Sequence, residues 1–182
     1  VILPVISQND IFGESGSQTG IGDALVTGFF SPKAPTSGGL IWGAGPAISI
    51  PTATDDLLGS GQFAIGPSVV GLIQAGGITY GALVNHIWSV FGDSDRADLN
   101  ATFFQPFLAR NFKGGYALAL NTELLQNWEA NATVGTIDLV GSKVTTLGSQ
   151  LTQFFIGPRI PYGNGNNSSW GFRAGIVLMF PK

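Results

Sequence analysis

The segment Trp170-Gly171-Phe172-Arg173-Ala174-Gly175-Ile176-Val177-Leu178-Met179-Phe180 alternates with a period of two. Phe172, Ala174, Ile176, Leu178 and Phe180 make one wholly apolar face. Gly171, Arg173, Gly175, Val177 and Met179 make the other. Successive side chains of a β-strand point to opposite faces, so this is a strand with one apolar side. Arg173 stands among apolar neighbours, and aromatic residues sit at both ends. A strand that crosses a bilayer has this layout: apolar residues toward lipid, polar or small ones toward a lumen, aromatics at the two interfaces.

The rest of the chain is of the same kind. Charged residues are 10% of the 182, against roughly 25% in ordinary soluble proteins. Glycine is abundant, at 27, and hydrophobic residues reach 44%. No apolar run approaches the ~18–20 residues of a membrane-spanning helix. Such a chain is either a β-barrel in lipid or a tightly packed soluble β-protein. A net charge of −3 with sparse basic residues argues against nucleic-acid binding. The absence of cysteine removes disulfide scaffolds, thiolate metal sites and cysteine nucleophiles. The chain opens on Val1-Ile2-Leu3-Pro4-Val5-Ile6 without a signal-peptide pattern, and these residues already read as strand. We therefore expect residues 1–182 to be a single barrel domain, incomplete at its N-terminus.

Ten strand segments are expected: Val1–Ser7, Ile21–Ser31, Leu40–Ile50, Phe63–Gln74, Ile78–Val90, Leu99–Asn111, Tyr116–Asn127, Thr133–Thr145, Gln150–Ile160 and Trp170–Phe180. Most exceed the ~5–6 residues of a soluble strand and suit the ~9–11 that cross a bilayer at a tilt. Only Leu120–Ala130 has a helix-friendly composition. Longer and shorter connections alternate along the chain, as an up-and-down barrel requires and a Greek-key sandwich does not. Charge sorts the same way. Asp10, Glu14, Asp55, Asp56, Asp93, Asp95, Asp98 and Glu129 fall in the longer connections, whereas Lys33, Lys113, Lys143 and Lys182 lie at the shorter turns or the C-terminus. The fold class read from this is all-β, a transmembrane antiparallel up-and-down barrel of about 10 strands in this chain.

Parity is clear in several segments. Trp42, Pro46, Ile48 and Ile50 oppose Gly43, Gly45, Ala47 and Ser49. Phe63, Ile65, Pro67, Val69 and Ile73 oppose Gln62, Ala64, Ser68 and Gln74. Phe154, Ile156, Pro158 and Ile160 oppose Gln153, Gly157 and Arg159. Pro46, Pro67, Pro106 and Pro158 fall inside strands and each deletes a ladder donor. Four such strands cannot all be edges, so bulges are expected at them.

Longer stretches carry a resemblance. Pro4-Val5-Ile6-Ser7-Gln8, Gly20-Ile21-Gly22-Asp23, Phe30-Ser31-Pro32, Ile41-Trp42-Gly43-Ala44-Gly45-Pro46 and Pro51-Thr52-Ala53-Thr54-Asp55 come first. Gly66-Pro67, Gly81-Ala82-Leu83-Val84-Asn85-His86-Ile87-Trp88-Ser89-Val90 and Gln105-Pro106-Phe107 follow. Asn127-Trp128-Glu129-Ala130, Trp170-Gly171-Phe172-Arg173 and Phe180-Pro181-Lys182 complete the series. Over essentially its whole length the chain resembles the Gram-negative outer-membrane proteins grouped as the MetA-pathway-of-phenol-degradation family, labelled transporters. The resemblance implies a β-barrel, further strand sequence ahead of Pro4, 12 strands if an N-terminal hairpin is missing here, and uptake of aromatic or other hydrophobic compounds. The order Arg173, Gly175, Leu178, Phe180 also resembles the C-terminal signal read by the machinery that assembles outer-membrane barrels.

Glu123, Asp138, Arg159 and Arg173 are ionisable residues inside strands. An arginine facing lipid at mid-depth costs about 2–4 kcal/mol, so these four are expected to point into the lumen. They either line a solute-selecting pore or fill a narrow barrel with salt bridges. His86 is the only histidine, beside Asn85 and Trp88; with no nucleophile motif at Ser89, it reads as a hydrogen-bonding residue at the interface or in the lumen. Asp93, Asp95 and Asp98 lack the glycine and closing glutamate of a calcium loop and read as solvated carboxylates. Pro51-Thr52-Ala53-Thr54-Asp55-Asp56 reads as surface loop, as does Asn164-Gly165-Asn166-Asn167. Asn166-Asn167-Ser168 and Asn167-Ser168-Ser169 match glycosylation acceptors, which have no meaning in an outer membrane.

The leading expectation is a non-enzymatic channel of the Gram-negative outer membrane for small solutes, aromatic or hydrophobic ones among them. It takes no cofactor, has membrane lipid as a partner and could form homo-oligomers. A structural or self-assembling barrel without transport, and a soluble β-protein that binds a small hydrophobic molecule, are the alternatives.

Overall fold

The computed structural model describes residues 1–10, 14, 16–165 and 169–180. Eleven strands are formed: β1 (Val5–Asn9), β2 (Ser17–Ile21), β3 (Ala24–Thr27), β4 (Leu40–Ile50), β5 (Gln62–Ala75), β6 (Ile78–Gly92), β7 (Asn100–Asn111), β8 (Tyr116–Asn127), β9 (Ala132–Leu147), β10 (Gln150–Tyr162) and β11 (Gly171–Met179). The one short 3-10 turn among the described residues is Lys113–Gly115. Strands β3 to β11 make a nine-stranded antiparallel sheet in strict sequence order, curled into half a barrel. β1 and β2 form a hairpin of their own.

The eight expected segments from Leu40 onward are strand, and the first two are corrected. Val1–Ser7 is strand only from Val5, with Ile2 an isolated bridge; in Ile21–Ser31 only Ile21, the last residue of β2, and Ala24–Thr27, which is β3, are strand, with an interruption at Gly22-Asp23. Asp23 turns aside to accept hydrogen bonds from Ser60 N (2.6 Å), Ser60 Oγ (2.7 Å) and Ala53 N (3.3 Å). Across the interruption Gly22 N still donates to Pro4 O, and Ile2 pairs with Leu25, so the N-terminal segment follows both strands. The helix-friendly stretch Leu120–Ala130 is the second half of β8 and its turn: alternation, set by burial on one face, overrides local propensity.

Another correction concerns the prolines. Pairing lapses beside each of them, but the register does not slip. β3 and β4 pair at Thr27↔Ala47 and again at Phe30↔Ala44, on either side of Gly45-Pro46. β5 and β6 pair at Ile65↔Trp88 and again at Ser68↔Asn85, past Gly66-Pro67. β9 and β10 do the same around Gly157-Pro158, and β7 and β8 around Gln105-Pro106. The one register shift between β5 and β6 falls at Phe63/Ala64 instead. In all three Gly-Pro pairs a Cβ on the glycine would fall on a carbonyl oxygen of the adjoining strand: that of Gly28, His86 or Leu139. The neighbouring backbone folds in over the bare glycine while the proline, lacking an N–H, points to the opposite face. Glycine kinks of this kind bend a sheet sharply, which is how this one curls.

The two faces are sorted by the expected parity. Gly43, Gly45, Ala47, Ser49, Gln62, Ala64 and Ser68 lie on the shielded face; Trp42, Ile65, Val69, Tyr80, Val84, Phe104, Leu120, Leu139, Ile156 and Ile176 are exposed on the other. Among the described residues the buried hydrophobic side chains are only Ala24, Ala47, Leu58, Ala64 and Ala101, and the largest fully buried ones are Thr152, Asp138 and Ser68. This inverts the order of a soluble β-protein, whose core holds its Leu, Ile, Val and Phe.

The ends differ too. One end carries the connections 10–16, 51–61, 93–99, 128–131 and 163–170; the other carries 28–39, 76–77, 112–115 and 148–149. The acids named above all belong to the first end. Lys33, Arg110, Lys113 and Lys143 belong to the second. Lys182, expected there as well, lies outside the described residues.

Candidate functional site

Four strands contribute to one polar cluster on the shielded face. The pairings Asn121↔Asp138, Glu123↔Thr136, Arg159↔Asp138 and Arg173↔Gly157 place these side chains on adjoining rows of β8, β9, β10 and β11. Arg159 Nη2 meets Glu123 Oε2 at 2.6 Å, and its Nε lies 3.6 Å from Asp138 Oδ1. Arg173 Nη1 meets Glu123 Oε1 at 2.6 Å and Asp138 Oδ2 at 3.1 Å. All four residues expected to share the lumen are thus brought together, and each arginine contacts both carboxylates.

Uncharged groups extend the cluster. Thr136 Oγ1 accepts from Arg159 at 3.0 Å. Asn121 donates to Glu123 at 3.3 Å, and Gln105 on β7 donates to Asn121 at 3.1 Å. Gln105, Asn121 and Thr136 were not singled out from the sequence, where an uncharged polar residue inside a strand carries no distinguishing pattern. Asp138 is fully buried, Glu123 has 22% of its side chain exposed, and Arg159 and Arg173 have 36% and 35%. The guanidinium groups therefore lie over the carboxylates and face the open side of the sheet. Asp138 Oδ1 accepts no hydrogen bond and is compensated only by the Arg159 contact. Opposite charges in a shielded setting leave an array that is neutral overall but polar at its surface, able to hydrogen-bond a passing solute through the exposed guanidinium N–H groups.

The other candidate residues are elsewhere. His86 projects from the apolar face near the acidic end. Its Nδ1 is 2.7 Å from Thr102 Oγ1, its ring packs on Trp88 with centroids 4.2 Å apart, and Trp128 Nε1 donates to the same hydroxyl at 2.9 Å. Asp93 Oδ1 accepts from Asp95 N at 3.0 Å within its own connection, and Asp98 accepts from Ser89 Oγ at 2.9 Å, which ties that connection to β6. Among the described residues no group of three or more His, Asp or Glu is arranged to hold a metal ion. Of the resembled assembly signal, Arg173 is engaged in the ion cluster, Leu178 is exposed on the apolar face and Phe180 lies just beyond β11. The two glycosylation-like triplets fall on residues outside those described.

Residues 51–56 lie at the surface, as expected, and the connection 51–61 that contains them packs onto the hairpin. Leu58 is buried, Thr54 Oγ1 accepts from Ile21 N, and Thr52 Oγ1 accepts from Ala24 N while donating to Gly22 O. Arg96, from the connection 93–99, donates to Asp56 O at 2.7 Å and also to Gly59 O. Asp23 and Arg96 were not singled out from the sequence, because both act on backbone groups of a distant connection that no local pattern reveals.

No protein-family model, no curated protein and no solved structure matches this chain.

Proposed function

We propose that this chain forms a β-barrel of the Gram-negative outer membrane whose polar face lines a lumen for small solutes, aromatic or otherwise hydrophobic ones among them. The observation that carries the reading is the inversion of the two faces. Each large apolar side chain left in water forgoes roughly 1.5–3 kcal/mol, and the exposed face spans nine strands. A continuous apolar surface of this size needs a hydrophobic surround, and a bilayer supplies one.

Aromatic residues border that face at both ends. Trp88, Trp128, Trp170 and the stacked pair Phe63–Phe91 stand at the acidic end; Trp42, Tyr80, Phe112 and Tyr116 stand at the basic end. The eight residue steps from Tyr80 to Trp88 on β6 span about 26 Å at ~3.3 Å per residue. At a tilt of ~40° that is about 20 Å along the normal, close to the ~25 Å apolar band of such barrels. The nine-stranded sheet ends at β11 and at β3, and among the described residues β3's outer edge is bridged only by Ile2 at Leu25. In lipid those edges must be paired, so closure is part of the proposal. The resemblance to the outer-membrane transporters of the phenol-degradation family supports the same reading.

Reconstitution into planar bilayers tests it. A discrete conductance is expected, altered by Arg159→Gln and Arg173→Gln, together with uptake of small aromatic solutes into proteoliposomes. A folded barrel that leaves bilayers insulating would favour a structural, self-associating barrel. A chain that stays monomeric and soluble without detergent would overturn the membrane reading altogether.

A further inference from the structure

On the apolar face, near the basic end, a groove of about 770 Å³ crosses β8 to β11. Two neighbouring rows of outward side chains define it. Tyr116, Lys143, Phe154 and Ile176 are paired across the four strands; Gly141, Ile156 and Ala174 form the row beside them. The floor is Gly141. Its backbone does not require glycine, since it has no positive φ and an added Cβ would meet nothing nearer than the Ile156 carbonyl oxygen at 3.8 Å. The missing side chain therefore leaves space on the surface rather than relieving strain.

One charge stands at this groove. Lys143 Nζ donates to Gly114 O at 2.8 Å and lies 3.6 Å from the centroid of the Tyr116 ring, which fixes its position and leaves N–H capacity unused. Among the described residues no acidic side chain pairs with it. Of the eleven acids, Glu123 and Asp138 are on the opposite face in the ion cluster, and the others lie toward the acidic end. Lys33, Arg110 and Lys113, at the same end, form no salt bridge among the described residues. A second copy side by side in the same orientation would bring no carboxylate to this height either.

The geometry points to an anionic phospholipid bound here, one acyl chain lying in the groove over Gly141 and its phosphate against the Lys143 ammonium. A cation at one end of an apolar slot, next to a tyrosine at interfacial height, complements an amphiphile with a single anionic head. The inference rests on the membrane reading above.

Native mass spectrometry of the detergent-solubilised protein, with phosphatidylglycerol and phosphatidylcholine as probes, tests it. One phosphatidylglycerol should stay bound under activation that strips phosphatidylcholine. Gly141→Leu should weaken that retention at least tenfold, and Lys143→Gln should reduce it to the phosphatidylcholine level. Ala174→Phe, at an exposed position, closes the same groove should Gly141→Leu fail to fold. Equal retention of the two lipids by the wild-type protein, or undiminished retention by a folded groove-filling variant, overturns the site while leaving the barrel reading intact. A protein soluble without detergent would bring down both.

Discussion

Arg173 on β11 reaches across β10 to Asp138 on β9, with Nη1 and Oδ2 3.1 Å apart. Its Cα partner on the intervening strand is Gly157, which has no side chain to block the path. The cluster thus depends on a charge, a fully buried carboxylate and an empty position between them.

The burial difference predicts unequal costs. Asp138→Asn removes the fully buried charge from beneath two guanidinium groups and should destabilise the folded protein by about 3–5 kcal/mol. Arg173→Gln removes a partner with 35% of its side chain exposed, leaving Arg159 to compensate both acids, and should cost about 1–2 kcal/mol. Urea unfolding in a fixed detergent or lipid measures both; equal costs would show that the layering of the cluster has no energetic meaning.

Gly157→Val should act twice. Its Cβ would fall on the Leu139 carbonyl oxygen and its branches would stand in the path of Arg173. Overpacking of this sort costs about 1–3 kcal/mol. Because the valine also disrupts the arginine's contacts, adding Arg173→Gln to it should cost much less than in the wild type, a non-additivity read from a double-mutant cycle.

Leu139 and Val140 are adjacent on β9 and face opposite ways, Leu139 pairing with Leu120 on the apolar side. In bilayers, Leu139→Arg should lose about 2–4 kcal/mol, whereas Val140→Arg should lose under about 1 kcal/mol by reaching the polar side. Matching losses at the two positions would argue against a lipid-facing surface.

Arg96 ties the connection 51–61 to the connection 93–99 through two backbone carbonyls. Arg96→Ala should leave the sheet folded and raise the rate of proteolytic cleavage within 51–61 severalfold, since a hydrogen bond from a charged group contributes about 1.5–3 kcal/mol. Unchanged cleavage would mean that Leu58, Asp23 and the Thr52 and Thr54 hydrogen bonds hold the connection down without Arg96.

Phe180 is exposed and lies beyond the last ladder pair. Phe180→Ala should change the stability of the refolded protein by no more than about 0.5 kcal/mol while lowering the folded fraction recovered from cells. The gel mobility of unheated samples separates the two effects.

The period-two alternation of Trp170–Phe180 and its counterparts carried the strand positions, the sorting of the faces and the inward placement of Glu123, Asp138, Arg159 and Arg173. Those features depend on local spacing, which a sequence displays directly. What the tertiary structure decided involves backbone groups far apart in the chain. Asp23 breaks the second segment because Ser60 and Ala53 come to it. Leu58 is buried because the hairpin lies beneath its connection. The prolines bend the sheet without shifting its register because carbonyl oxygens of adjoining strands settle over Gly45, Gly66 and Gly157. None of these contacts has a period, so none could be read until the strands were laid side by side.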